Sequence, residues 1–173
     1  MQVIFFRRIF LIRPREQNAL FDAVSEMLQD PQLEVRIGAS STLAGMIRCS
    51  PVALRTNILK ILTAKFKDDL KKNPMPKKTP GTETPVQHNK QIIRRHAAVL
   101  GLGALVQAFP YQTPPPDWMP EILAMLASRA ASDPGAIGKT VKTILADFKV
   151  GKFITLAPNS LHMLTRSLLE NED

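Results

Sequence analysis

The tripeptide Gly138-Lys139-Thr140 has the residue types that end a phosphate-binding loop. That loop also needs a glycine five residues before Gly138 and a buried strand ahead of it. The residue at that position is Asp133, and the segment around it has helical periodicity. We therefore interpret the tripeptide as the first turn of a helix and exclude a nucleotide site.

Other residues that could bind a metal or perform catalysis are scattered along the chain. The single cysteine, Cys49, has no histidine near it in sequence, and no Gly-x-Ser-x-Gly elbow is present. His96 follows two cations, Arg94 and Arg95, which disfavour its protonation and repel a metal ion. We expect no catalytic residue, no metal site and no cofactor. A catalytic Cys49 that uses a distant histidine is the alternative. The histidines are His88, His96 and His162.

The composition is that of a folded globular chain. It has 173 residues, of which 45% are hydrophobic and 22% charged. One cysteine excludes an internal disulfide and fits a reducing compartment. The most apolar run, residues 3–12, contains Arg7 and Arg8 and is far shorter than the roughly 20 apolar residues of a membrane span. We expect no membrane segment and no signal peptide.

The positive charge is concentrated in one stretch. From Arg55 to Arg95 there are 11 basic and 3 acidic residues, which accounts for the whole net charge of +8. Its centre is a proline-rich spacer between two lysine pairs, a pattern typical of nuclear localisation signals. A solvated loop without a partner is the alternative. Nucleic-acid binding is less favoured because no aromatic residues are interleaved for base stacking. The lysines are Lys71, Lys72, Lys77 and Lys78.

Apolar residues recur at three and four positions between prolines that mark helix starts. Hairpin dipeptides and period-two alternation are absent. We predict an all-α chain of about seven or eight helices. One helix is expected at the start of the chain and a short one around 161–169. Three others are predicted at about 15–29, 32–48 and 52–71, and the helical pattern of apolar residues resumes within 92–106, 122–126 and 137–148.

An internal repeat favours a HEAT/armadillo-like α-solenoid over a closed helical bundle. Arg36, Ala39 and Leu43 have the same spacing as Arg95, Ala98 and Leu102. The offset of 59 residues fits a HEAT or armadillo repeat of roughly 40–47 residues after a linker insertion is subtracted. The predicted organisation is HEAT-like helices at 1–71 and 89–149, a basic linker at 72–88 and a divergent tail at 150–173.

Trp118 lies among aromatic residues and prolines that also include Phe109 and Tyr111. We expect Trp118 to cover the end of the solenoid core. A partner-binding knuckle is the alternative.

Several segments resemble the C-terminal region of the proteasome activator complex subunit 4 family, a family of very large HEAT-repeat proteins. The resemblance covers about residues 1–149. It is carried by the sequences at 1–6, 33–49, 95–104, 117–120 and 140–148, among which Arg95-His96-Ala97 and Trp118-Met119-Pro120 are the most specific.

The resemblance implies an α-solenoid that caps the α-ring of the 20S proteasome core particle, favours opening of its gate and promotes ubiquitin-independent degradation. It also implies a nuclear and cytoplasmic location, with a nuclear signal near the lysine pairs. Some family members are described as binding acetylated lysines on histones, with a link to DNA repair.

Two departures from the family pattern bear on function. After Lys149 the chain leaves the pattern and ends Glu170-Asn-Glu-Asp173, without the gate-opening tail in which a tyrosine stands near the carboxyl end. The candidate acetyl-lysine loop is Cys49, Ser50 and Pro51, where the family resemblance implies an Asn-Phe pair just after Cys49. The amide that could donate to an acetyl group is therefore missing.

Two alternative functions stay open at this level. One is a nuclear chromatin or nucleic-acid adaptor that uses the basic stretch. The other is a generic importin-like or scaffold HEAT fragment.

Overall fold

A computed structural model describes residues 13–76, 85–109, 112 and 114–152. All regular secondary structure in these residues is helical, which confirms the all-α prediction. There are six helices in this part of the chain; the two other predicted helices, at the start of the chain and at 161–169, lie outside the described residues. The helices are α1 (Pro14–Met27), α2 (Leu33–Cys49), α3 (Val52–Lys72), α4 (Pro85–Gln107), α5 (Met119–Ala130) and α6 (Ala136–Lys152).

Helix α4 begins earlier than predicted. It starts at Pro85, whereas the apolar periodicity starts at Ile92. Proline is favoured at the first helical position because its missing N–H would be unpaired there in any case. Residues 85–88, which belong to the predicted linker, are therefore helical. Hydrophobic periodicity did not predict them as helix because the first turns of α4 are polar.

The chain divides into two compact units, Met1–Ala108 and Phe109–Asp173. The first unit contains α1 to α4, and the second contains α5 and α6. The predicted linker at 72–88 thus lies inside the first unit, and it includes the last residue of α3 and the first four residues of α4.

In the first unit, α2 and α4 run parallel and in register. Three contacts between them each join residues 60 apart: Arg36 with His96, Ser40 with Leu100, and Arg48 with Ala108. A constant difference in residue number defines a parallel alignment. Helix α1 packs against α2, and α3 packs against α4. Two consecutive helical hairpins are therefore stacked side by side, as in a solenoid.

Two arginines occupy equivalent places in these hairpins. Arg36 Nη1 donates to the carbonyls of Asp30 at 2.7 Å and Pro31 at 2.9 Å, just beyond α1. Arg95 Nη1 donates to the carbonyl of Asn73 at 2.9 Å, just beyond α3. Each guanidinium thus pairs backbone carbonyls just after the first helix of its hairpin. Arg36 and Arg95 are the pair that the repeat alignment matches.

The contact between α3 and α4 depends on a glycine. Phe66 of α3 is only 2% exposed. A methyl group at Gly101 of α4 would lie 2.6 Å from the Phe66 ring carbons, which is too close for a real contact. The absence of a side chain at Gly101 lets the Phe66 ring lie directly on the α4 backbone.

The second unit is built on the packing of α5 against α6. The turn between them contains Gly135, whose φ of +71° is a conformation that favours glycine. Phe109 and Trp118 meet edge to face, with ring centroids 5.6 Å apart. Trp118 is half-buried and directly precedes α5.

None of the helices in the described residues is long and apolar enough to cross a membrane.

The buried Arg36–His96 pair joins the two hairpins at the α2–α4 contact. Arg36 Nη2 lies 3.4 Å from His96 Nδ1, and His96 is 1% exposed. Because arginine can only donate, Nδ1 accepts and carries no proton in this contact. Burial, and then the positive charge of Arg36, lower the pKa of His96 to about 4. Arg36, which the fold brings from another helix, is thus a cation that disfavours the protonation of His96.

We expect Gly101→Ala to lower the free energy of unfolding by about 1–3 kcal/mol, because the added methyl group must displace Phe66. Gly38 is the matched control, since it lies in α2 with no atom near the position of an added Cβ. Gly38→Ala should raise stability by up to about 1 kcal/mol through helix propensity. Urea unfolding followed by circular dichroism measures both changes. Equal effects of the two substitutions would contradict the proposed Phe66–Gly101 contact.

The Arg36–His96 pair predicts a pH-dependent stability. Between pH 6.5 and about 4 the unfolded chain protonates His96 and the folded chain does not. Stability is therefore full above pH 6.5 and falls on acidification, by up to about 3 kcal/mol at pH 4. Urea unfolding of the wild type and of His96→Gln across this range measures the difference in slope. A wild-type slope no steeper than that of His96→Gln would show that His96 does not have the lowered pKa.

Candidate functional site

The lysine pairs predicted as a nuclear signal begin on a helix. Lys71 and Lys72 form the last turn of α3 and are exposed. Lys72 Nζ lies 2.6 Å from Asp68 Oδ2, and this hydrogen bond raises the pKa of Lys72. The helix stops at Asn73, whose side-chain amide donates to the Asp69 carbonyl at 2.7 Å. Lys77 and Lys78 lie outside the described residues.

The candidate acetyl-lysine residues form the turn between α2 and α3. Cys49 ends α2 and is exposed, and Pro51 directly precedes α3. Ser50 between them is buried, and its Oγ donates to the Met46 carbonyl at 2.7 Å. The hydroxyl proton of Ser50 is therefore used within the end of α2, and of the three residues it is Cys49 that presents an exposed donor.

The tripeptide Gly138-Lys139-Thr140 lies in the first turns of α6, as the sequence predicted. A side chain at Gly138 would collide with the Asp133 carbonyl of the preceding turn. Lys139 is exposed on the helix surface. Close packing of the turn between α5 and α6 therefore accounts for the glycine. Among the described residues, no cluster of three histidine, cysteine or acidic side chains could hold a metal ion.

A cleft of about 450 Å³ opens between α1, α3 and the middle of α4. Its walls combine an apolar surface at Phe66 and Ala97 with polar and charged groups. Ser25 from α1 is 2% exposed, and its Oγ has no hydrogen-bond partner among the described residues. The other lining residues are Gln29, Lys65, Asp69, Lys72, Asn73 and Arg94.

A second, more apolar groove of about 430 Å³ adjoins this cleft. Gln29 and Arg94 line both, so these two residues form the boundary between them. The apolar part of the groove includes Val86, which is 76% exposed, and the half-buried Ile93. Its other lining residues are Pro31, Asn89 and Lys90.

Sequence reasoning missed both depressions. Their residues come from α1, α3 and α4, and no short motif contains them. The one available signal was the excess of positive charge between Arg55 and Arg95, which includes Lys65, Lys90 and Arg94.

Comparison with known proteins identifies relatives. The model of the family described as "Proteasome activator complex subunit 4-like, C-terminal" matches residues 92–152. Human proteasome activator complex subunit 4 is 34% identical over 155 residues, which are 86% of this chain and 8% of the human protein. Proteasome activator subunit 4 of Arabidopsis thaliana is 28% identical over 149 residues. Proteasome activator BLM10 of Saccharomyces cerevisiae is 31% identical over 135 residues, or 78% of this chain and 6% of the yeast protein.

These relatives come from animals, a plant and a yeast, and each match covers most of this chain. The chain spans less than a tenth of the length of the curated relatives it matches. The resemblance predicted from the sequence is thereby confirmed: the chain matches a fragment of proteins of the proteasome activator complex subunit 4 family.

Proposed function

We propose that this chain is a helical-repeat segment with which a proteasome activator contacts the α-ring of the 20S core particle. The observation that carries the proposal is the 34% identity to a human protein named as a proteasome activator subunit, over 86% of this chain. In this role the chain does not itself form or break covalent bonds in a substrate protein. It contributes binding energy to a cap that favours gate opening and ubiquitin-independent degradation.

The stacked hairpins support this role physically. Repeat proteins bury each helical face against the next repeat, which produces an extended and stiff surface for a large partner. Here the α2–α4 contact is held by side chains along its length, from Arg36 near the start of α2 to Arg48 at its end. A surface held in this way can bind a rigid protein ring with little ordering cost.

We further propose a nuclear and cytoplasmic location, supported by the lysine pairs Lys71, Lys72, Lys77 and Lys78. The described pair is solvent-exposed at a helix end, where a receptor can reach it.

The proposed contact is tested with purified 20S particles and the 173-residue polypeptide. We expect weak, saturable binding by surface plasmon resonance. Hydrolysis of a fluorogenic peptide should not rise, because this polypeptide ends Glu170-Asn-Glu-Asp173 without a nearby tyrosine. Gly101→Ala is the control, since disturbing the α3–α4 packing should weaken binding. An absence of binding would contradict the proposed contact, and stimulation would contradict the interpretation of the tail.

A second candidate function, a chromatin or nucleic-acid adaptor, is favoured by the placement of the whole +8 charge between Arg55 and Arg95. Changing the four lysines of the two pairs to alanine should then weaken DNA binding and reduce its salt dependence by roughly four phosphate contacts. Lys139 and Lys142, exposed on α6, are the matched control positions. Fluorescence anisotropy at several salt concentrations measures the slope. An equal loss of DNA affinity when Lys139 and Lys142 are changed to alanine would contradict the adaptor hypothesis.

Binding of acetylated histones is implied by the resemblance alone, and the turn at Cys49, Ser50 and Pro51 argues against it. The Ser50 hydroxyl donates to Met46, and no amide stands at Cys49, Ser50 or Pro51 to pair with an acetyl carbonyl. We therefore expect acetylated and unacetylated histone-tail peptides to bind with the same affinity. A clear preference for the acetylated peptide that is lost in Ser50→Ala would reverse this expectation and identify the turn as a reader.

A further inference from the structure

The cleft between α1, α3 and α4 contains a buried hydroxyl that nothing in the described structure satisfies. Ser25 is 2% exposed and lines the cleft, and its Oγ has no hydrogen-bond partner among the described residues. A serine inside a helix commonly donates to the carbonyl four residues earlier, and this one does not. A buried hydroxyl without a partner is unfavourable, so a ligand oxygen that accepts from it would be stabilised.

Two other helices contribute cations to the lining of the same cleft. Lys65 of α3 lines the cleft, with its Nζ 5.8 Å from the centroid of the Phe66 ring. Arg94 of α4 is exposed at the mouth of the cleft, where it can present its N–H donors. Three helices therefore contribute residues with donor groups to the lining of one cleft, although these residues lie far apart in sequence.

The charge balance favours a singly charged group. Lys72 is paired with Asp68, so the lining contributes two other cations, Lys65 and Arg94, and one anion, Asp69. The sum of these three charges is +1. A carboxylate complements it, whereas a dianionic phosphate would leave an excess negative charge beside Asp69.

The adjoining groove indicates that the carboxylate belongs to a polypeptide. It begins at the shared residues Gln29 and Arg94 and continues along Val86 and Ile93. A strongly exposed valine in such a groove offers an apolar contact next to the charged cleft. An extended segment with an acidic and an apolar residue two positions apart presents both side chains on one face and would place one in each depression.

We propose that the Ser25 cleft binds a glutamate or aspartate side chain of a partner protein, and that the adjoining groove binds a neighbouring apolar side chain of the same segment. Ser25 Oγ and the Arg94 guanidinium donate to the carboxylate, and Lys65 supplies a further positive charge. This inference does not rest on binding to the 20S particle, because both depressions lie within the first unit of the chain.

The test uses the full chain and a fluorescein-labelled peptide in which a glutamate and a leucine stand two residues apart, so that both side chains share one face of the extended peptide. Fluorescence anisotropy measures its affinity, and the same peptide with glutamine in place of glutamate should bind at least about tenfold more weakly. Inorganic phosphate and free glutamate are then compared as competitors. Displacement of the peptide by phosphate at lower concentrations than by glutamate would overturn the assignment to a carboxylate.

Three substitutions identify the cleft itself. Ser25→Ala should weaken peptide binding about fivefold without lowering the melting temperature, because the hydroxyl has no partner to lose in the folded chain. Arg94→Gln should weaken binding about tenfold. Lys60→Gln is the matched control, since Lys60 is exposed on α3 and does not line the cleft.

Two results would overturn the proposal. One is unchanged affinity in both Ser25→Ala and Arg94→Gln. The other is an equal loss in Lys60→Gln and Arg94→Gln with no effect of Ser25→Ala, which would indicate general attraction to a basic surface. Loss of affinity in Ser25→Ala with an unchanged melting temperature would support it, because only a direct contact with the hydroxyl explains both observations.

Discussion

The parallel packing of α2 on α4 determines how the first unit is arranged. Helices α2 and α4 can lie parallel only if the chain between them returns to the side where α2 begins, which α3 does. The contacts that join residues 60 apart then keep the helices in register. Small residues at this contact, such as Ala39 and Ala98, are almost fully buried and let the two backbones approach.

Burying the polar groups of this contact costs free energy, and hydrogen bonds that the hairpin geometry makes possible offset that cost. Burial lowers the pKa of Arg36, which shows that its charged form is partly desolvated. Two carbonyls in the turn that follows α1, those of Asp30 and Pro31, accept its Nη1 protons. Arg48 donates to the Gln107 carbonyl at the end of α4 in the same way. Backbone carbonyls at or just after helix ends thus accept hydrogen bonds from buried guanidinium groups, which favours arginine at these positions.

Much of the helical structure was predictable from the sequence, because hydrophobic periodicity and prolines are local signals. The predicted helix at 32–48 agrees with α2 to within one residue at each end. The start of α4 was not predictable in this way, since its first turns carry no buried stripe. The contact between His96 and Arg36 was not predictable either. Sequence proximity suggested Arg94 and Arg95 as the cations near His96, whereas the fold brings Arg36 to it from another helix.

The lysine pairs show how a functional and a structural reason can coincide in one segment. The connection between α3 and α4 is longer than the corresponding connection of the first hairpin, which is residues 28–32. Such turns tolerate insertions at small entropic cost. Lys71 and Lys72, however, occupy the last helical turn, where positive charge stabilises the helix dipole. Substituting them changes helix stability as well as any contact with a partner. Lys77 and Lys78 follow the helix end, so a loss of partner binding on changing that pair alone is the cleaner evidence of recognition.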